Sequence, residues 1–367
     1  MLLLAACGQA ASPSPTPPAA QAPTPAATKP AAAPAATGAP QPAQKAPASF
    51  AGRQLTATGF GGTTQDLFQK VAFDPFDQAT GATTTQVPLQ SADGFARMRA
   101  EKANPQIDLF QFSGGQELLA KQEGLSETLT AVPTAADLGP TFRDPDSQWV
   151  ATAVIAEGIL YNTDKIQEPP ASYNDFLKPE YQGHVAFPAL SNSYGVDFLV
   201  MLARANGGGE KNIEPGFEAM KKIADKATIF KAAAEVPTLF SQGDIWIMPY
   251  DASNGFRARE SGLPVGFATP KEGSPAVFIT AVVAKGSKNA DLAQAAIDYV
   301  LQPNVQAAIA QGLRWAPVNP KAQVPPDVAK DVPSGEEGLK KLVVLDHDTI
   351  TAQRPEWTDR FNREIAR

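Results

Sequence analysis

Small and hydroxyl-bearing residues stand where several predicted strands turn into helices. They are Gly61, Gly62 and Thr63 after the first strand, Ser113 and Gly114 after the third strand, and Ser191 and Tyr194 before a helix of the second half. Glycines let the backbone approach a ligand closely, and the free N–H groups of a helix start favour a carboxylate or another anion. The same residues also make ordinary helix caps, so capping without a ligand stays open as the alternative.

Three further side chains could contact a ligand through charge or stacking. Tyr250 and Asp251 follow the predicted strand Ile245–Pro249, and the aspartate could pair with an ammonium group or simply cap the next helix. Glu157 stands among aliphatic residues of a long predicted strand, Val150–Tyr161. Because an unpaired buried carboxylate is costly, Glu157 needs either a ligand or an internal ion pair.

The composition excludes several classes of function. The net charge of −7 argues against a nucleic-acid partner, which would need clustered cations. With two histidines and one cysteine, the 367-residue chain offers neither a multi-histidine metal site nor a cysteine-rich one, and no cofactor is predicted. An enzyme is the alternative class, but no GxSxG motif is present, and the carboxylates of Asp346 and Asp348 are explained by a solvated turn.

From Arg53 onward the sequence predicts strands alternating with helices. Strands are predicted at 55–59, 83–87, 107–112, 150–161, 185–187, 245–250, 265–268 and 277–284. The main helices are predicted up to Thr80, at 95–102, up to Glu123, and at 194–206, 213–226, 236–241, 291–301, 304–311 and 355–365. This order predicts an α/β fold with mixed, mostly parallel sheets covered by helices.

The N-terminal segment has a different composition. Residues 1–7, MLLLAAC, resemble the end of a bacterial lipoprotein signal peptide, with Leu4–Cys7 in the lipobox arrangement and Cys7 as the lipidated residue. Residues 8–50 consist largely of Ala, Pro, Thr, Ser and Gln, which predicts a disordered tether. No later stretch approaches 18 apolar residues, so we expect a lipid anchor rather than a membrane span.

Five stretches, in order along the chain, resemble one protein family. They are GFGGTTQDLF from Gly59, NPQIDLFQFSGG from Asn104, GILYNTDK from Gly158 with NDFLKPEYQGHVAFP after it, the segment Leu239–Gly273, and LVVLDHDTITAQRPEWTDRFN near the C-terminus. Together they span nearly all of residues 54–362. The chain resembles the extracytoplasmic solute-binding proteins of bacterial ABC importers, within family 1, on the branch of the spermidine/putrescine-binding proteins.

This resemblance implies a two-lobed type II periplasmic-binding-protein fold, with the ligand in a cleft between the lobes. Lobe 1 would comprise residues 51–156 and 271–367, and lobe 2 residues 157–270. Such a protein captures a small-molecule solute and delivers it to a membrane permease without performing chemistry. It is expected to act as a monomer outside the cytoplasm. The other classes that stay open are a secreted hydrolase and a lipid-anchored adhesion or scaffold protein.

The resemblance departs from the polyamine binders at the ligand site. In those proteins an aromatic residue at the place of Tyr250 stacks on the alkyl chain, and an aromatic–x–Asp element lies on the strand returning to lobe 1. Here Phe278 and Thr280 occupy that element, so the acidic anchor is missing. A ligand with an anionic or neutral polar end is therefore expected. Phosphonate- and thiamine-type ligands remain alternatives, as does ferric ion, although a lone Tyr250 disfavours iron.

Overall fold

The computed structural model describes residues 49–231 and 235–366. Cys7 and almost all of the predicted tether lie outside the described residues. Among those that are described, no helix is long and apolar enough to cross a membrane.

Three parallel strands begin the described chain. Strand β1 (Gln54–Gly59) lies between β2 (Thr83–Pro88) and β3 (Leu109–Ser113) and pairs in parallel with both. The helices of this part are α1 (Gly62–Phe68), α2 (Asp74–Thr80), α3 (Ser91–Ala100) and α4 (Gln116–Gln122), with a π-helical turn, Gln69–Phe73, joining α1 to α2. Because the strands are parallel, the turns that follow β1 and β3 lie at the same edge of the sheet.

Two long strands connect the two halves of the fold. Strand β4 (Val150–Asn162) and strand β9 (Ser274–Val283) pair antiparallel, from Val150 opposite Ala281 to Ala156 opposite Ala276. From Glu157 onward β4 has different partners, because residues 157–161 pair with β7 (Ile247–Asp251) and residues 159–162 with β8 (Val265–Ala268). Glu157 is thus the residue at which β4 passes from one group of strands to the other.

The second half builds its own layers around β7 and β8. Its remaining elements are β5 (Ala186–Pro188), α5 (Ser193–Ala205), α6 (Glu214–Ala224), β6 (Thr228–Phe230), α7 (Val236–Ser241) and α8 (Ala252–Glu260). Helix α5 is buried along most of its length, since nine of its thirteen residues are buried. An apolar helix of this kind has to lie inside the lobe, packed between α6 and the strands.

After β9 the chain adds four helices to the first half of the fold. Its last helix then packs against the second half. The returning helices are α9 (Ala290–Val300), α10 (Pro303–Leu313), α11 (Pro326–Ala329) and α12 (Gly335–Leu339). The short strand β10 (Leu342–Val343) pairs with the start of β9, and helix α13 (His347–Glu364) follows.

Helix α13 packs against the second half. Phe361 meets Phe187 of β5 at a ring-centroid distance of 6.5 Å, and the Arg360 guanidinium lies 4.1 Å from the Phe217 ring of α6. The predicted lobe 1 included all of residues 271–367, but these contacts favour a boundary near Leu342. We use lobe 1 for β1–β3, α1–α4 and α9–α12, and lobe 2 for β5–β8, α5–α8 and α13.

The α/β class and the order of elements are as predicted, with differences in pairing and in helix bounds. The sheet is mixed rather than mostly parallel at its centre, because β9 and β4 run antiparallel to their neighbours. The predicted turn after β1 is already helical from Gly62. The last helix begins at His347 instead of Pro355, because the side chain of Asp346 caps it by accepting from the Thr349 N–H at 3.0 Å.

Candidate functional site

A cavity of about 740 Å³ lies where the two lobes and β9 meet. We call it the cleft cavity. Its walls come from the α4 start, the residue Trp149, the β9 start, the α5 start and one face of α13. The polar or charged side chains on these walls are Glu117, Thr141, Trp149, Ser193, Asp197, His347, Thr351, Arg354, Thr358 and Asp359. A volume of this size is in the range of small-molecule sites.

The lobe 1 wall is built where β3 turns into α4. Gly114 and Gly115 have φ values of 89° and 96°, a left-handed conformation that side-chain-bearing residues rarely adopt. This turn sets the first turn of α4 beside the cavity, with Glu117 on the wall. Burial raises the pKa of the Glu117 carboxyl, and the hydrogen bond from Thr280 and the nearby His347 partly oppose that rise. The Thr280 hydroxyl lies 3.3 Å from Glu117 Oε2.

The floor of the cavity is apolar. It consists of Ala276, Val277 and Phe278 at the β9 start, where β9 crosses between the lobes. The Phe278 ring packs edge-on against Phe142 at a centroid distance of 5.7 Å. Beside this floor stands Trp149, whose buried indole N–H has no hydrogen-bond partner among the described residues.

The lobe 2 wall is the first turn and a half of α5. The Asn192 side chain caps this helix by accepting from the Tyr194 N–H at 3.1 Å. Ser193, Val196 and Asp197 face the cavity. An α-helix start concentrates free N–H groups and a partial positive charge, so this wall favours an anionic group.

Asp197 forms a buried carboxyl pair with Glu157. Both residues are about 95% buried, and their side chains share a hydrogen bond. Burial and the negative charges of Asp197 and Asp251 raise the pKa of Glu157 well above its ordinary value. Burial also raises the pKa of Asp197, while the hydrogen bond from Glu157 lowers it. Both shifts favour a proton on this pair, and Asp197 is the member of the pair that lines the cavity.

Helix α13 contributes the cationic side of the site. The Arg354 guanidinium donates to the backbone carbonyls of Leu190 and Ser191 at 3.2 and 3.1 Å, just before the α5 start. Within the described residues no carboxylate forms an ion pair with Arg354. Pro355 also lines the cavity and has no N–H, so the carbonyl of Thr351, one turn earlier, lacks its helical donor.

These walls suit a small solute that carries both charges. Arg354 and the α5 start can bind a carboxylate, while Asp197 and Glu117 can bind an ammonium group. The apolar floor of β9 suits a short alkyl chain between the two ends. Among the described residues no group of three or more His, Cys, Asp or Glu side chains is arranged to hold a metal ion.

The sequence-predicted residues divide into three groups around this cavity. Gly114 and Phe278 lie on its walls. Others contact a wall residue from behind: Glu157 contacts Asp197, Thr280 contacts Glu117, and the Ser191 carbonyl accepts from Arg354. The Ser113 N–H donates to Ser91 Oγ at 2.9 Å, which ties β3 to α3 just before Gly114.

The remaining predicted residues are not among those lining the cleft cavity. Gly61, Gly62 and Thr63 form the start of α1, where the Gly61 N–H donates to Gln65 Oε1 at 3.2 Å. Because the strands are parallel, this turn lies at the same edge of the sheet as the turn after β3. The cleft cavity, however, forms next to β9 and α5. Gly61 is the N-cap residue of α1, and no side-chain hydrogen bond caps this helix in the described part of the chain.

Tyr250 and Asp251 have structural partners. The Tyr250 ring is 1% exposed and stacks against the half-buried Tyr194 at 4.4 Å and against Phe230 at 5.8 Å. Asp251 caps α8 by accepting from the Asn254 backbone N–H at 2.9 Å and from its side chain at 2.6 Å, and it also bonds to the Tyr194 hydroxyl. The capping alternative for Asp251 therefore describes the structure, and Tyr250 packs behind Tyr194 instead of facing the cavity.

Sequence reasoning missed the chargeable residues that line the cavity. Asp197 carries the same signal that pointed to Glu157, because it is a single carboxylate within the apolar run Val196–Ala203. Arg354 lies inside the C-terminal stretch that carries the family resemblance, but its placement depends on α13 folding back onto lobe 2. No local pattern shows that long-range contact.

A family model described as bacterial extracellular solute-binding protein matches residues 104–349. Among curated proteins, the γ-aminobutyric acid-binding protein of Pseudomonas aeruginosa is 22% identical over 340 residues, which cover 88% of this chain and 94% of that protein. The spermidine/putrescine-binding periplasmic protein of Escherichia coli is 24% identical over 189 residues, which cover 50% of this chain and 52% of that protein.

Solved structures support the fold. An extracellular solute-binding protein from Bordetella parapertussis superposes with a TM-score of 0.77 at 23% identity, and the match covers 86% of this chain and 99% of that one. A structure described as an ABC transporter from Clostridium perfringens superposes with a TM-score of 0.70 at 21% identity, and the match covers 85% of this chain and 99% of that one.

Proposed function

The chain belongs to the family of bacterial extracellular solute-binding proteins, and from that premise we propose that it captures a small organic solute bearing both a carboxylate and an amine. It holds the solute in the cleft cavity and delivers it to the permease of an ABC importer. The single observation that carries this proposal is that Arg354 of α13 and Asp197 of α5, one cationic and one acidic side chain, line the same cavity.

The charge arrangement favours an amino acid of this kind over a polyamine. The strand position that carries an acid in the polyamine binders is occupied here by Thr280, which is fully buried against Glu117. A cation at Arg354 would repel an ammonium group placed beside it. Two curated relatives that span most of this chain are named for solutes with one amine and one acidic group: one for γ-aminobutyrate and the other for 2-aminoethylphosphonate.

Lobe closure is the proposed way in which capture is completed. The cavity walls come from both lobes, so a solute that contacts α4 and α5 together favours the arrangement that brings them closer. The strands β4 and β9 and the segment leading to β10 would bend, since they are the connections between the lobes.

Membrane anchoring through Cys7 completes the proposal. Acyl chains on this residue would hold the folded lobes near the permease, with residues 8–50 as the spacer. In the native host, the unaltered protein should partition into the detergent phase of a Triton X-114 extraction. A Cys7→Ala variant should remain in the aqueous phase, and equal partitioning of the two would contradict the anchor.

The solute class is tested by thermal unfolding with a panel of compounds. The panel contains γ-aminobutyrate, butyrate, butylamine, putrescine, spermidine and 2-aminoethylphosphonate. Ligand at about 100 times its Kd stabilises the folded state by roughly 2.7 kcal/mol. We expect γ-aminobutyrate to raise Tm by several degrees and butyrate or butylamine to raise it little. A shift with putrescine alone would contradict the amino-acid class, and no shift with any compound would contradict capture of such solutes.

A further inference from the structure

A buried pair of carboxyl groups lies at the point where β4 crosses between the lobes. Glu157 is the first residue of β4 that leaves the β9 pairing, and its backbone pairs with Asp251 of β7. Its side chain meets that of Asp197 on α5, and Asp197 forms part of the cleft-cavity wall. One oxygen, Glu157 Oε1, is buried and accepts no hydrogen bond from any residue in the described part of the chain.

Two carboxylates so close and so buried cannot both be ionised without a cation. Repulsion between like charges and the loss of hydration both act against the doubly charged form. One shared proton removes the second charge, and it also explains the hydrogen bond between two groups that are otherwise both acceptors. The empty protein therefore holds one proton on the pair.

We propose that the ammonium group of the solute binds at Asp197 and replaces this shared proton, so that capture of the amine releases one proton to solvent. This inference rests on the proposed function, since it assigns the amine end of the same solute. The charges balance, because the ammonium group brings one positive charge to the Glu157–Asp197 pair and the shared proton leaves with one. No bond other than the O–H bond of the carboxyl is broken.

The other groups around the pair affect its protonation, and within residues 49–231 and 235–366 no cationic side chain forms an ion pair with Glu157 or Asp197. Asp251 and the hydroxyl of Tyr173 approach Glu157 from β7 and from the turn before β5. Glu210, His347 and Arg354 act on Asp197 at longer range, from the loop after α5 and from α13. The acidic neighbours favour a proton on the pair, and the more distant His347 and Arg354 only reduce that tendency.

The exchange predicts how affinity depends on pH. In the empty protein the proton sits on Glu157, whose pKa is raised well above its ordinary value by burial and by Asp197. A bound ammonium stabilises the ionised pair and lowers that pKa. Between the two values one proton leaves for each solute bound, so the Kd should fall by up to tenfold for each unit of rising pH.

The test is calorimetric titration with γ-aminobutyrate between pH 5.5 and 8.5, in buffers of different ionisation enthalpy. The solute itself does not titrate in this range, so the buffer dependence counts protons from the protein. We expect release approaching one proton per solute for the wild type. Glu157→Gln keeps the hydrogen bond to Asp197 without an exchangeable proton, so its release should fall to zero and its Kd should become nearly independent of pH.

Three further variants distinguish the proton released by the Glu157–Asp197 pair from protons released by other groups of the protein. Glu356→Gln changes an exposed carboxylate of α13 outside the cavity lining and should behave as the wild type. His347 also lines the cleft cavity, so release that survives in Glu157→Gln but disappears in His347→Gln would overturn the inference. Release that persists in Glu157→Gln but is lost in Glu117→Gln would overturn it too.

Failure of the inference and failure of the proposed function are distinguishable. Binding of γ-aminobutyrate without proton release at any pH would overturn the exchange while leaving the amino-acid site intact. If neither γ-aminobutyrate nor any other compound of the panel binds, the proposed function fails, and the exchange fails with it.

Discussion

Arg354 is the side chain that most directly distinguishes an amino-acid site from a polyamine site. Among the described residues its guanidinium donates hydrogen bonds to two backbone carbonyls, so part of its donor capacity remains for a solute carboxylate. Arg354→Gln should weaken γ-aminobutyrate binding at least tenfold, about 1.4 kcal/mol, as measured by calorimetry.

Two variants control for the structural part of this effect. Arg354→Lys keeps the charge but loses the planar fork, and its loss of affinity should be intermediate. Arg363→Gln removes the same charge at the end of α13, outside the cavity lining, and should bind as the wild type. If Arg354→Gln binds as tightly as Arg363→Gln, the carboxylate does not bind at Arg354.

Asp251 could have bound an ammonium group, but its carboxylate caps helix α8. Its carboxylate accepts from the backbone and the side chain of Asn254 at the start of α8. Asp251→Ala should lower the free energy of unfolding by about 1 kcal/mol or more, because the cap is lost. Asp251→Asn retains an acceptor and should bind solute within about twofold of the wild type. A tenfold loss of affinity in Asp251→Asn, without loss of stability in urea, would make Asp251 a solute contact instead.

At the residue scale, the sequence identifies unusual residues better than it identifies their partners. Glu157 could be singled out because a carboxylate among aliphatic residues needs a ligand or an ion pair, but the described partner of its side chain is another acid, Asp197. Tyr250 and Asp251 could be placed at the end of β7, but whether they face the cleft depends on Tyr194 of α5, which covers them. Contacts between distant elements decide such cases.

At the scale of elements, the position of α5 depends on close packing at Gly195. A Cβ on Gly195 would lie 2.4 Å from the Ala189 carbonyl oxygen and 2.5 Å from that of Pro188, so backbone would have to move. Gly195→Ala should therefore lower the free energy of unfolding by roughly 2 kcal/mol and shift the cavity wall that α5 forms. Chemical denaturation and solute titration measure the two effects.

Gly94 provides the matched control for this change. It lies within α3, and a Cβ there would make ordinary contact with the Phe112 ring at 3.4 Å. Gly94→Ala should be neutral or should stabilise the protein by about 0.5 kcal/mol, because alanine favours the helix. Equal destabilisation by both substitutions would contradict the tight packing of α5 on the β5 segment.

Helix α13 is attached to α6 through ion pairs that depend on pH. Glu364 bonds to Lys221 at 2.7 Å and to Arg360, and these hydrogen bonds lower the Glu364 pKa from 4.5 to about 2. A lowered pKa in the folded state contributes stability above the unfolded value, and that contribution is lost as the pH falls from about 4.5 towards 2. Glu364→Gln should thus be less stable than the wild type at pH 7, and the difference should disappear near pH 2.

Urea unfolding at several pH values, compared with Glu356→Gln, measures this difference. Glu356 is an exposed carboxylate on the same helix, so its replacement should leave the acid dependence unchanged. High salt should reduce the Glu364 effect, because the group is solvent-exposed. A stability difference for Glu364→Gln that is the same at pH 7 and pH 2.5 would contradict the assignment.

At the scale of the whole molecule, the cavity depends on the return of the C-terminal helix α13 to lobe 2. Local sequence patterns do not show this return. The alternation of strands and helices was enough to predict the α/β class and most element bounds. The return of residues 342–366 to lobe 2 was not predictable, because α13 is polar along most of its length and its apolar contacts are few. Since α13 supplies Arg354 and Thr351, this return decides the chemistry of the site.

The most direct test of the cleft cavity as the solute site is calorimetric titration of two neighbouring tryptophan variants with γ-aminobutyrate. Thr351 and Ala352 are both exposed on α13, but only Thr351 lines the cavity. We predict saturable one-to-one binding for the wild type and for Ala352→Trp, and at least a hundredfold loss of affinity for Thr351→Trp. Equal affinities for the two folded variants would contradict this site and place the solute elsewhere.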